Sequence, residues 1–240
     1  MKIVASMQPY FFPYIGYWQL IHAADYFVLA DESQYMSRGW VHRNRILKPG
    51  GGWQYIIVPV KKHAMTESIK NVEASSDQKW KELIVRQLAH YNKKARYFGE
   101  TIEVIDDILF NNKEQSIGAI NCAAIKKMCA HLDINRQIII SSEHNFDYSN
   151  VADAGDWALR ESEQLGATDY INPAAGAALY DRAKFSSSNI KLSFLKSKEI
   201  VYSQQGVFEP SLSIIDVLMF NGIEGTKKLL GNYCIETGDE

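Results

Sequence analysis

The sequence predicts an α/β protein: an open, mostly parallel sheet that begins with a βαβ unit and carries a helical segment in its middle. Three observations carry this reading. In the first thirty residues a short apolar run (2–7), a Pro-bounded loop (8–13), a helical pattern and a second apolar run (26–30) follow in turn. That is the order of a right-handed crossover between parallel strands. Further short apolar runs at 138–140, 169–173 and 190–195 alternate with segments of helical period, as sheets covered on both faces require. Finally, 240 residues with 46% apolar and 22% charged content suffice to bury a core unaided, roughly 70–75% of the unfolded surface at this length.

Taken in order, residues 2–7 form a buried strand. Pro13 lies near the start of a helix in which Ile15, Trp18, Leu20, Ile21 and Ala24 share a face. Residues 26–30 form the second strand, ending at Asp31. The segments 41–47 and 53–60 are predicted to pair as a hairpin across the Pro49, Gly50, Gly51, Gly52 turn. Helices are expected over 77–95, 98–110 and 116–132, then a strand at 138–140 and a helix at 152–165 stopped by Gly166. Short strands at 169–173, 190–195 and 200–202 and a helix at 213–220 complete the pattern. Residues 1–240 are expected to form one domain with a helical subdomain around 77–132.

The formal net charge of −2 gives no global drive toward nucleic acid or an anionic membrane, though it leaves room for a local basic patch. Cys122, Cys129 and Cys234 are an odd number of thiols without CxxC spacing, which argues against a disulfide framework or a zinc site. The opening apolar run is too short for a signal peptide, and no stretch reaches the length of a membrane span. A cytoplasmic location is therefore expected. Composition says nothing of the oligomeric state.

In open parallel sheets ligands bind beyond the carboxyl ends of the strands. Gln8 and Tyr10 follow one such end, and Asp31 and Tyr35 follow another. Ten aromatic side chains fall in the 33 residues from Gln8 to Trp40, against 13 Tyr, 10 Phe and 5 Trp in the whole chain. Phe11, Phe12, Trp18 and Phe27 read as core, whereas Tyr10, Tyr14, Tyr17 and Tyr35 carry polar tips that suit the face of a sugar or base. Gln8 offers a donor and an acceptor together. Arg43 and Arg45 are the anion-binding candidates. On a strand they share one face, with Asn44 on the other, and paired guanidinium forks hold a phosphate or carboxylate. Their alternative is a pair of surface arginines bonded to acids such as Asp25 or Asp31. Asp31, at a strand end, suits a general base toward an attacking amine, and His42 is a second acid–base candidate. Ser142 and Asn172 sit where later strands end. No Walker loop, GxGxxG, GxSxG, HExxH or paired-carboxylate metal motif is present.

The run Met7, Gln8, Pro9, Tyr10, Phe11, Phe12, Pro13, Tyr14, Ile15, Gly16, Tyr17, followed by Ala24 through Asp31, resembles the opening of the WbqC-like family. The resemblance continues through Trp40 to Ile46, Ile57 to Val60, Leu165 to Ile171 and Pro210 to Asp216, and so covers nearly the whole chain. Members sit in bacterial surface-polysaccharide loci. The resemblance implies transfer of glycine or another small acyl group to an amino sugar, the substrate being a nucleotide-linked sugar. Activation of the acyl group by ATP or as a thioester is left open, as is a non-catalytic sugar- or nucleotide-binding role beside a partner enzyme. A fainter architectural likeness joins the first βαβ unit to the HIGH-type nucleotidyltransferases and pantoate–amine ligases. Both phosphate-binding histidines of that group are missing here, where Pro13, Tyr14, Ile15, Gly16 and Tyr17 stand instead. A nucleic-acid partner is not expected.

Overall fold

A computed structural model describes residues 1–204 and 206–237. The six-stranded sheet has the order β5-β2-β1-β6-β7-β8. Its strands are β1 (Ile3–Met7), β2 (Tyr26–Leu29), β5 (Gln137–Ile140), β6 (Asp169–Pro173), β7 (Lys191–Ser197) and β8 (Tyr233–Thr237). The first five run parallel, in register from Val4↔Tyr26 to Met7↔Leu29 between β1 and β2, and β8 lies antiparallel beside β7. A separate antiparallel hairpin joins β3 (Arg43–Leu47) to β4 (Trp53–Ile57), turned by Gly50, Gly51 and Gly52, all at positive φ. The α/β class, the opening strand–helix–strand unit and the helical middle are as the sequence predicts.

Both sheet faces are covered, which is why the parallel strands read as short apolar runs. Side chains alternate between faces. Ala5, Phe27, Leu29 and Ile171 join a large core built with α1 (Ile15–Ala23), α4 (Ile117–His131) and α8 (Ile214–Leu230), whereas Val4, Val28 and Tyr170 join a smaller one with α6 (Ala154–Gln164) and α7 (Arg182–Ser187). The helices α2 (Lys79–Leu88) and α3 (Phe98–Phe110) extend the large core. The four-residue α5 (Ser141–His144) follows β5 directly.

The loop 8–13 organises this large side. It holds two prolines and forms no regular structure, so its carbonyls must find partners elsewhere. Five of them accept from side chains: Gln8 from the Tyr17 hydroxyl (2.9 Å), Pro9 from Asn121 (2.8 Å), Phe11 and Phe12 both from Asn44 (3.0 Å each), and Pro13 from the Trp18 indole (2.9 Å). Ser213 also donates to the Phe12 carbonyl at 2.8 Å. Phe12 is buried with φ at 40°, a left-handed conformation that a bulky residue holds only when its surroundings enforce it. Asn44 and Ser213, from β3 and the start of α8, supply that enforcement.

The sequence pattern misplaces the late elements. Residues 200–202 are not a strand; Tyr202 instead donates to Asp216 (2.7 Å) at the start of α8. Asp216 is fully buried and also accepts from Tyr91 and Gln204. The last strand is β8, an edge strand whose final residues are exposed, so it lacks the alternation that would reveal it. Helix α8 runs beyond the predicted end at residue 220 because the Asn221–Gly222 pair, a turn signal, only kinks it. Gly222 there has φ 64°, and a Cβ would meet the Tyr97 ring at 2.7 Å.

Three substitutions test this packing. Asn121→Ala strands the Pro9 and Val41 carbonyls and is expected to cost about 2–4 kcal/mol in denaturant unfolding. Gly222→Ala is expected to destabilise by about 1–3 kcal/mol. By contrast Gly99→Ala, at an open position in α3, should be neutral or stabilising by about 0.5 kcal/mol. Equal effects at the two glycines would contradict the kink's geometry.

Candidate functional site

The five parallel strands run outward in sequence from β1 to β2 to β5 on one side, then resume at β6 and β7 on the other. The order reverses between β1 and β6, and the carboxyl ends beside such a reversal form the crevice of an open α/β sheet. Side chains at three strand ends, those of β2, β5 and β6, build a polar floor there.

Asp31 follows β2 and is 4% exposed. It accepts from the Ser141 hydroxyl (2.8 Å), the Ser142 amide (3.0 Å) and the Ser142 hydroxyl (2.6 Å), all from the end of β5. Adjacent parallel strands in register place these groups opposite one another. A cavity of about 340 Å³ opens on this cluster, its walls including Asp31, Ser142, Lys70, Lys126, Glu114 and Glu143. Lys70 pairs with Glu32 at 2.7 Å. The lining thus offers cations, carboxylates and hydroxyls together, a surface suited to a small zwitterion or a polyhydroxyl compound carrying an amine. Cys122 also lines the cavity, but burial pushes its thiol well above the usual range. It is therefore a neutral packing group and not a thiolate.

Beside β1 and β6 the floor continues. Asn172 donates to the Tyr170 hydroxyl (2.9 Å) and the Ser6 carbonyl (3.3 Å), and Tyr170 meets Tyr180 at 3.1 Å. Facing them from α6 is Glu161, fully buried. One of its oxygens accepts from the Tyr148 hydroxyl at 3.0 Å, and the other has no hydrogen-bond partner. Burial dominates its chemistry and pushes the carboxyl up to about 7, against the opposing pull of the Ser6 and Tyr148 hydroxyls.

The remaining predicted residues occupy a neighbouring region. The Gln8 amide donates to the Ser33 hydroxyl (3.1 Å) and the Gln34 carbonyl (3.3 Å), tying the loop after β1 to the loop after β2. Tyr17 is fully buried under the 8–13 loop, and half-buried Tyr10 packs on it at 5.6 Å. The Tyr35 hydroxyl meets His42 Nδ1 at 2.8 Å, with His63 edge-on to the Tyr35 ring. Burial first, then the charge of Arg43 and the neighbouring His63, hold His42 below the usual histidine range. Arg43 and Arg45 do share the outward hairpin face, with buried Asn44 on the other. Arg43 stacks on Tyr55 (4.6 Å) and donates to the Gly39 and Arg38 carbonyls; Arg45 stacks on Trp40 and Trp53 and donates to the Ser211 carbonyl.

The structure therefore brings Asp31 and Ser142 to one cavity and places Asn172 along the same edge of the sheet. Gln8, Tyr10, Tyr17, Tyr35, His42, Arg43, Asn44 and Arg45 are not among that cavity's walls. Sequence reasoning passed over Glu161, although Ala158, Glu161, Ser162 and Leu165 share a helical stripe and a glutamate amid it was the available signal. Lys70 and Lys126 carried no such signal. Among the described residues no group of three or more His, Cys, Asp or Glu side chains is placed to hold a metal ion, and no helix is long and apolar enough to cross a membrane.

Glu161 fixes a pH dependence. Its folded value lies above the roughly 4.3 of an exposed glutamate, so the folded state binds the extra proton between the two values. Its contribution to stability is present below about pH 4 and is lost as pH rises to about 7. Between about pH 5 and about pH 8 the wild type should lose on the order of 2–3 kcal/mol relative to Glu161→Gln, measured by urea unfolding. A constant difference between the two proteins would contradict the buried, proton-retaining carboxyl.

Comparison with known proteins adds the following. Residues 8–228 match the profile of the WbqC-like protein family. The uncharacterized protein Rv1507c of Mycobacterium tuberculosis (strain ATCC 25618 / H37Rv) is 27% identical over 237 residues, covering 98% of this chain and 99% of that one. No solved structure matches the chain significantly. Asp31, Ser141, Ser142, Glu161 and Asn172 all lie within the matched span, and the chain is a member of the WbqC-like protein family.

Proposed function

We propose that this protein forms an amide on an amino sugar during surface-polysaccharide assembly, transferring glycine or another small acyl or aminoacyl unit. The observation that carries the reading is the cavity beyond β2 and β5, where Asp31, held by Ser141 and Ser142, stands among lysines and glutamates. In this reading the cavity takes the amine and the acyl unit. The amine nitrogen attacks the acyl carbon, an N–C bond forms, and the bond from that carbon to its activating group breaks. That group is the phosphate of an acyl-adenylate or the sulfur of a thioester, and it leaves with the bonding electrons. The proton lost by the amine passes to Asp31, whose carboxylate keeps its orientation through three hydrogen bonds. The outward Arg43–Tyr55 and Arg45–Trp53 stacks supply a guanidinium and an aromatic face for the nucleotide of the sugar carrier.

A second reading, a non-catalytic carrier that hands a nucleotide-linked sugar to a partner enzyme, is favoured by that same hairpin face, because among the described residues neither arginine is ion-paired. The two readings separate at Asp31. Thermal melting with ATP, acyl-coenzyme A, UDP- and dTDP-amino sugars and glycine, singly and in pairs, identifies ligands by the rise they cause. The responding pair is then incubated with wild type and with Asp31→Asn, and the amide is sought by mass spectrometry. The transferase reading expects an amide from wild type and at least a hundredfold less from Asp31→Asn, with ligand-induced melting shifts retained. Shifts without any amide support the carrier, and undiminished amide in Asp31→Asn removes Asp31 from the chemistry.

A further inference from the structure

We infer that the cavity between the start of α2 and the 112–116 segment is a phosphate subsite, where Lys81 and the Trp80 indole bind a phosphate group of the acyl donor. The subsite stands on its own geometry; only its assignment to the donor rests on the amide-forming reading. The cavity has a volume of about 440 Å³, and its walls include Ser75, Gln78, Trp80, Lys81, Glu114 and Gln115. Glu114 also lines the Asp31 cavity, so the two adjoin at a shared carboxylate. Backbone pairing fixes the rim. The Lys61 amide donates to the Glu73 carbonyl (2.8 Å), Ala74 to Gln115 (2.8 Å) and Ser75 to Pro59 (2.7 Å). Residues 73–75 are thereby pinned between the segment after β4 and the segment before α4.

Two buried donors without adequate acceptors carry the inference. Trp80 is 6% exposed and Lys81 is 9% exposed. Trp80 Nε1 is buried and meets no acceptor among the described residues, unlike the Trp18 indole, which reaches the Pro13 carbonyl. Lys81 forms no ion pair among the described residues. Its Nζ donates to the Asn112 carbonyl at a long 3.4 Å and stands 5.5 Å from the centre of the Trp80 ring. Withdrawing an ammonium from water for so little return is costly, and burial holds its pKa below the usual lysine range. The other lysines of the wall differ: Lys61 is paired with Glu73, and Lys113 is exposed. One charged and one neutral donor on the same wall suit a group with several accepting oxygens. That group is a phosphate. No arginine is among the lining residues, so the flat fork that matches a carboxylate is missing, whereas lysine binds phosphate as a point charge. Ser75, Ser76, Gln78 and Gln115 add hydroxyl and amide donors to the walls. The volume leaves room for the rest of a nucleotide or a thioester carrier. Glu114 repels a second anion, which keeps the phosphate on the Lys81 side and leaves the Asp31 cavity to the amine.

The test needs no amide formation, so its failure is separate from the failure of the transferase reading. The Trp80 indole N–H resonance, identified by its loss in Trp80→Phe, is followed in nitrogen-15-labelled protein. Inorganic phosphate, adenosine monophosphate and coenzyme A are added in separate titrations. The subsite predicts a saturable shift with each, and whichever of the two organic probes saturates at lower concentration names the donor as an adenylate or a thioester. Lys81→Met keeps the apolar stem and removes the charge; it is expected to weaken binding by about tenfold or more. Lys81→Gln takes its place should that variant fail to fold. An indole resonance that stays still with all three probes overturns the subsite, as does binding undiminished in the folded lysine variant. Saturable shifts without any amide product leave the subsite standing and count against the transferase reading alone. An amide formed while the indole resonance stays still does the reverse.

Discussion

The fold depends on how the carbonyl groups between Gln8 and Pro13 are satisfied. A loop with two prolines leaving a central parallel strand has few ladder partners available, and its oxygens lie between the sheet, the hairpin and three helices. Tyr17, Trp18, Asn44, Asn121 and Ser213 each donate into it. These donors come from α1, β3, α4 and the start of α8, so one loop fastens four elements that are far apart in sequence. An unpaired buried carbonyl costs more than a formed bond gains, so the loop acts as a specification: only the packing that brings all these donors together avoids the penalty. The left-handed Phe12 is tolerable on the same account.

Fixing that loop fixes the sheet's edge. With β1 held, the β2 and β5 ends lie in register, and Asp31 falls opposite Ser141 and Ser142. The polar groups of the site are thus arranged by backbone pairing, with side-chain hydrogen bonds completing the geometry. The dense aromatic cluster around residues 10–18 packs into the large core. Its phenols, Tyr10, Tyr14 and Tyr17, are all raised by burial, and the Tyr17 hydroxyl is committed to the Gln8 carbonyl.

Legibility in the sequence followed physical periodicity. The first βαβ unit, the hairpin with its glycine turn and α3 at 98–110 are visible because apolar spacing and turn residues agree. Strand β8 is invisible because its exposed edge needs no apolar face. The extension of α8 past Gly222 is invisible because a turn signal within a helix cannot be told from one that ends it. At the site, Asp31 and Ser142 were readable from position alone, since both follow short strands. Lys70 and Lys126 come from a three-residue 3₁₀ helix and from α4, whose approach to the cavity depends on tertiary packing. Asn44 shows the limit from the other side: the strand pattern correctly turned it away from Arg43 and Arg45, but only the structure reveals that its amide binds the 8–13 loop.

The central claim is that chemistry gathers at the carboxyl ends of β2 and β5 around Asp31. The most direct measurement is a map of backbone amide shifts in the labelled protein as a nucleotide-linked amino sugar is added to saturation. The account predicts that the largest changes include Ser116, Lys126, Ser142 and Glu143, on the cavity wall. Changes confined to the hairpin face of Arg43, Arg45, Trp53 and Tyr55, with the Asp31 cavity silent, would contradict it.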